Sequence, residues 1–336
     1  MSEGRPVPRN SNEYLWVQSV IRSVEKLSGR PSRWNGELYE ETRPNVAGSA
    51  RDDGGMTLKV NEVLKPIAQA YTAGRPLTPE ELIDAQDAVL TVVHEAKHLT
   101  NALGDESGPG ATEVYSPDTL VVEEGLTETW AHENVNDVIQ DIGMDRVQPE
   151  LLGVDSPDSY PAYTAATDEL VRGTADVTGL SQSQVREQLD QAPRAQRWGA
   201  AADLVIENRL SDVLPPQDRE AVRTELLQSM RPAIADVVGT QRDRNLSDVA
   251  KSIGGHQHAQ RAVTALSTTT AGLEEQYRNA GAQAQQQSPE VAHLRKFLGG
   301  PPPQAGSYRG GQGDGAAPDN VRSLRAKPEK GQSPSL

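Results

Sequence analysis

The chain has no cysteine and a single phenylalanine in 336 residues. The first absence excludes disulfides, cysteine-built zinc ribbons and a thiol nucleophile, so any bound metal must rest on histidine and carboxylate. Aromatics are 4% of the residues and apolar residues 35%, against 29 glycines and 23 prolines, a balance that leaves part of the chain without a packed core. Also missing is a dense Lys/Arg stripe. With a formal charge of -15, this argues against a nucleic acid or an anionic membrane surface as partner. No apolar run is long enough to span a bilayer, and the opening "MSEGRPVPRNSNEYLW" has no apolar signal region. These absences predict a cytoplasmic protein, with export by a route that needs no cleaved signal still open. The length allows one large domain or two ordinary ones, enough to enclose a buried polar site.

What is present is largely helical periodicity. "SNEYLWVQSVIRSVEKLSG" sets Tyr14, Val17, Val20, Ile21, Val24 and Leu27 on one face, with Ser11 or Asn12 as cap and Gly29 as stop. "GELYEETR" and "GGMTLKVNEVL" read as two strands of a small sheet. A long helix then starts at a capping box, Thr78 with Glu81, with Pro79 at the first helical position, and is expected to run to about Leu103 before Gly104. After an acidic loop, Ser116 and Pro117 open a second long helix. From Ser159 the pattern remains helical, and "GGHQHAQ" reads as a loop with two solvated histidines, His256 and His258. The Gly/Pro/Gln-rich end, residues 281–336, reads as linker and disordered tail.

The chemistry concentrates in "VVHEAKHL". On a helix, His94 and His98 stand four residues apart on one face, so both imidazoles can reach one ion. Glu95 is rotated by about one hundred degrees, placed to reach a water on that ion without binding the ion itself. A chance H-E-x-x-H in a chain of this length is expected on the order of once in a hundred such chains. A catalytic zinc needs a third protein ligand and an open position. "VVEEGLTETWAHENV", in the next helix, offers Glu124, Glu128 and His132 on one face, and Glu123 about one hundred degrees away. Helical geometry alone does not separate Glu124 from Glu128, and His132 would give an all-histidine site.

The pair HEAKH and EEGLTE resembles the gluzincin branch of zinc metallopeptidases over roughly residues 55–130. The resemblance implies Zn²⁺ held by His94, His98 and Glu124, with Glu95 as general base and Glu128 as an acid that hydrogen-bonds a ligating histidine. It also implies an oxyanion-stabilising side chain, for which Tyr160 and Tyr163 are the candidates and Arg172 and Arg209 the weaker ones. "GGMTLKVN" is the candidate strand for holding an extended peptide.

The expected fold is α+β: a zincin-like core with a small β-sheet and the H-E-x-x-H helix, then a mainly helical second half. Residues 1–10 form a flexible leader, 11–150 the zinc-binding domain and 151–280 a helical subdomain completing the cleft. The expected partner is a peptide or protein substrate. Two alternatives carry the same motif: a zinc-stabilised binding protein that does not cut, in which His132 closes the site as a fourth ligand, and a peptidase effector or toxin delivered by a secretion apparatus.

Overall fold

A computed structural model describes residues 4–287. The tail reading therefore falls outside the described residues from 288 onward. The described residues up to Ala284 form one compact unit, mainly helical with a three-stranded sheet.

Helix α1 (Asn12–Ser28) starts where Ser11 Oγ accepts the Tyr14 N–H and stops at Gly29, whose φ of 68° is the left-handed conformation that glycine adopts without strain. Three short strands follow, β1 (Leu38–Glu40), β2 (Gly48–Ala50) and β3 (Met56–Leu58). Their order is β1-β3-β2, with β3 parallel to β1 and antiparallel to β2. The sequence reading differs here twice. It misses β2, because Gly-Ser-Ala carries none of the branched or aromatic residues that mark strands. It also carries the second strand through Leu64, whereas the chain turns helical at Val60 and continues into α2 (Lys65–Thr72). Val60, Val63, Leu64 and Ile67 have helical spacing, and the last three are buried.

Helix α3 (Pro79–Thr100) opens on the full reciprocal capping box, with Glu81 N–H to Thr78 Oγ1 and Thr78 N–H to Glu81. It ends three residues before the expected Leu103, where Asn101 becomes extended and its side chain joins a buried polar network. Helix α4 (Pro117–Asp141) starts after Ser116, whose hydroxyl bonds Thr119 Oγ1 rather than a backbone amide. The rest is helical: α5 (Pro161–Thr178), α6 (Gln182–Gln191), α7 (Arg197–Val205), α8 (Arg219–Ala235), α9 (Val237–Arg242) and α10 (Asp248–Gln287). The expected loop at "GGHQHAQ" is instead continuous helix within α10. Its glycines are there for close approach: a Cβ on Gly255 would lie 2.0 Å from the Ala162 carbonyl oxygen. His256 lies near Glu169 and His258 bonds Thr240, so neither forms a second metal cluster among the described residues.

Two aliphatic cores organise the unit. One gathers α1, β1, β3, α2, α3 and the C-terminal half of α4, through Ala131, Val135, Val138 and Ile139. The other gathers α5 to α10 with the N-terminal half of α4, through Val121, Val122 and Leu126. Each large aliphatic side chain so buried contributes about 1.5–3 kcal/mol. Helix α4 belongs to both cores, and the acids of EEGLTE fall where it passes from one to the other. Among the described residues, no helix is long and apolar enough to cross a membrane.

Candidate metal centre

Helices α3 and α4 bring His94, His98 and Glu124 together, with one ligand atom from each within 4.8 Å of the others. The two Nε2 atoms are 3.0 Å apart. Glu124 Oε2 lies 3.1 Å from His94 Nε2 and 3.3 Å from His98 Nε2. All three residues are buried or nearly so.

The opposite nitrogens decide the chemistry. His94 Nδ1 donates to Glu128 Oε2 at 2.7 Å, and His98 Nδ1 donates to Glu123 Oε1 at 2.7 Å. An ionised carboxylate only accepts, so each Nδ1 carries a proton, and it is Nε2 that is left to give a lone pair to an ion. The two Nε2 atoms and a carboxylate oxygen thus converge in a buried space where only a cation or shared protons can satisfy all three. Such a set calls for a cation, and two imidazoles with one carboxylate suit zinc. In the metal-free protein the same demand falls on protons. Burial opposes charge on His94, but the hydrogen bonds to Glu124 and Glu128 outweigh it and hold His94 well above its ordinary value. Burial likewise opposes charge on His98, and the nearby Glu124 charge with the Glu123 hydrogen bond raises it. Burial pushes the Glu124 carboxyl up, yet attraction to His98 and His94 brings it down to about 2.

The structure separates the acids that helical spacing left equivalent. Glu124 faces both Nε2 atoms; Glu128 is engaged behind His94, where it also accepts the Ser159 N–H at 2.9 Å and bonds His132 Nε2 at 3.3 Å. His132 therefore sits behind Glu128 rather than in the cluster, which leaves three protein ligand atoms. Glu123, which the sequence reading set aside because the helical wheel turns it away, is the buried acid behind His98. Its buried carboxylate takes Arg194 at 2.9 Å, Asn101 at 3.3 Å, Arg197 and His98 together. The signal was there in outline: two histidines able to bind one ion would need two bracing acids, and EEGLTE supplies one acid beyond the candidate ligand Glu124 and Glu128.

Glu95 faces the other way, toward β2, where its Oε2 accepts the Ala50 N–H at 2.6 Å. Gly48 makes that approach possible, since a Cβ there would lie 3.0 Å from Glu95 Cγ and 2.9 Å from Thr91 Cγ2. A cleft of about 670 Å³ opens over this region, with Gly48, Thr91, His94, Glu95, Glu128 and Tyr160 in its wall. The strand beside it is β2. The expected strand, "GGMTLKVN", supplies β3, which is the middle of the sheet and paired on both sides, so it has no edge to offer a peptide.

The two tyrosines part company. Tyr160 stacks on the His94 ring, with centroids 5.4 Å apart, and lines the cleft. Burial and the surrounding Glu124, Glu95 and Glu128 charges push its phenol well above the ordinary range. Tyr163 stacks behind Tyr160 but is buried in the helical core. Arg172 pairs with Glu169 and Asp176, and Arg209 with Glu274 and the Val177 carbonyl, so neither joins the cluster.

Beneath the cluster, Lys97 is fully buried; its Nζ donates to Asp190 at 2.8 Å and Asn101 at 3.1 Å and lies over the Trp130 ring. Arg30 reaches the same Asp190 and Asn101. A buried charged network thus continues from Glu123 through Asn101. No protein-family model, curated protein or solved structure matches the chain.

Proposed function

We propose that this protein is a zinc-dependent metallopeptidase of gluzincin-like design, with His94, His98 and Glu124 as ligands and Glu95 as general base. The observation that carries the reading is the convergence of one possible ligand atom from each of His94, His98 and Glu124, beside a cleft that Glu95 lines. A bound divalent ion would supply Lewis acidity toward a scissile carbonyl and lower the pKa of water at neutral pH.

The remaining work falls to the chain itself. Glu95, which rests on the Ala50 N–H, takes a proton from water in the cleft and delivers it to the leaving nitrogen. Tyr160 stays protonated at neutral pH and offers its O–H to the developing oxyanion. Glu128 and Glu123 hold the two imidazoles with Nε2 forward. The wall of the cleft also carries Glu62, Asp84 and Asp87, and this negative field raises the local concentration of cations, the metal included. The outer edge of β2 gives an extended substrate a backbone to lie along.

The competing design, a closed structural zinc, needs a fourth protein ligand. The position of His132 behind Glu128 weighs against it. The test combines metal content with cleavage of a mixed peptide library. Wild type should hold zinc and cleave, and Glu95→Gln should hold zinc while cleavage falls by about 10²–10⁴. Equal metal in wild type, His94→Ala and Glu124→Ala, or full cleavage by Glu95→Gln, would refute the assignment.

A further inference from the structure

Each histidine of α3 is braced by an acid of α4, and each of those acids is anchored in turn to the helical half. Glu128 accepts the Ser159 N–H just before α5. Glu123 accepts from Arg194, in the turn before α7, and from Arg197, the first residue of α7, and its burial is complete. Two guanidinium groups and the Asn101 amide on one carboxylate are more than is needed to orient one imidazole. The same stretch is seated on the first half by backbone bonds: Arg194 N–H donates to the Ala102 carbonyl and Ala195 N–H to the Leu103 carbonyl, each at 2.9 Å, and Thr112 N–H donates to the Ala195 carbonyl at 2.8 Å.

We propose that Glu123 is a positioning residue that ties metal occupancy at His98 to the seating of the 194–197 segment, so that each stabilises the other. The inference rests on His94, His98 and Glu124 being the ligands. An ion on His98 Nε2 leaves the ring only its Nδ1–H to donate and fixes the ring plane that aims this proton at Glu123. Glu123, so held, keeps the geometry that Arg194 and Arg197 need. With the ion gone, His98 Nε2 meets only Glu124 at 3.3 Å and His94 at 3.0 Å, so the ring plane is held less tightly and the His98 bond to Glu123 weakens. Coupling of this kind is reciprocal: whatever loosens 194–197 must weaken metal binding by the same factor. The Ser159 branch through Glu128 runs separately, so the two branches can be told apart.

Hydrogen exchange on the full chain, stripped of metal and then loaded with zinc, reads the coupling at the amides of 194 and 195. Zinc should slow exchange there and at 159–163 in the wild type. Arg194→Met, whose side chain keeps most of the volume and breaks one donor to Glu123, should keep the response at 159–163. It should lose most of it at 194–195 and bind zinc about tenfold more weakly. Glu123→Gln should show the same pattern more strongly; if that variant does not fold, Arg194→Met decides. A wild type that takes up no zinc overturns the ligand assignment and this inference with it. A wild type that binds zinc without slower exchange at 194–195, or an Arg194→Met protein with that response intact, overturns the inference alone.

Discussion

Gly125 is the glycine of the EEG triplet, directly after the proposed ligand Glu124, and the structure gives it a packing reason. A Cβ built there would lie 2.2 Å from Thr167 Oγ1 and 2.7 Å from the Tyr163 carbonyl oxygen, both on α5. The hydroxyl could rotate, but the carbonyl is α5 backbone and can yield only if the two helices separate. Overpacking of this kind costs about 1–3 kcal/mol, and the unyielding partner puts the cost near the upper end. Alanine in place of glycine returns about 1 kcal/mol of helix propensity. Gly125→Ala should therefore destabilise by about 2 kcal/mol, a fall in melting temperature on the order of 4 °C for a unit of this size. A separated crossing also carries Glu124 away from the two Nε2 atoms, so zinc affinity, measured by chelator competition, should fall about tenfold. The control is Gly173→Ala, where the clash is with the Val263 side chain of α10 and no α4 residue is in the way. It should lower the melting temperature and leave zinc affinity alone. If both variants melt lower and bind zinc like the wild type, the crossing does not position Glu124. If Gly125→Ala melts normally, the clash argument itself is wrong.

Two further outcomes follow from the site. In the metal-free protein, His94 and His98 sit above their ordinary 6.5, while Glu123, Glu124 and Glu128 sit below 4.5. A raised histidine stabilises the fold fully below 6.5 and ceases to as pH climbs through its folded value; a lowered carboxyl contributes above 4.5 and is lost on acidification. Without metal, the contribution of these groups is therefore greatest between about pH 4.5 and 6.5 and declines on the alkaline side. Zinc competes with protons for the same nitrogens, so the stabilisation gained on adding zinc should grow with pH across that decline, and parallel melting curves with and without zinc would contradict this. Tyr160→Phe should lower kcat with zinc content unchanged, whereas Tyr163→Phe should leave kcat close to wild type because that ring is core. Equal kcat losses in the two variants would remove Tyr160 from the oxyanion role.

The H-E-x-x-H helix was legible in the sequence because its signals are local: a cap and its N3 glutamate, and histidines one turn apart. The placement of Glu124 and Glu128 came only from the resemblance and not from periodicity, because both share a face of α4. Which one reaches Nε2 depends on how α4 crosses α3 and α5, a crossing fixed by contacts at Gly125 more than thirty-five residues apart in sequence. Glu123 was passed over for a related reason. A helical wheel ranks residues by direction, yet an imidazole presents two nitrogens on opposite sides, so the acid that points away from the ion can be the one that holds its ligand. Strand β2 was invisible because its role is to be thin: Gly48 lets α3 come close, and small residues carry no strand signature. In "GGHQHAQ" the glycine pair was read as a break when it marks a near contact between helices.

The hydrogen bond between Glu95 and Ala50 has a consequence of its own. The Ala50 N–H points away from β3, so it is one of the donors that a chain pairing with the outer edge of β2 would take up. One amide proton serves one strong acceptor at a time. A strand laid against β2 at this register must displace the Glu95 carboxylate from its rest position, and the group so released is the one proposed to act as base. Occupied and empty clefts would then differ by the exchange of a single proton donor, and the sheet edge would work as a latch that the incoming chain itself lifts.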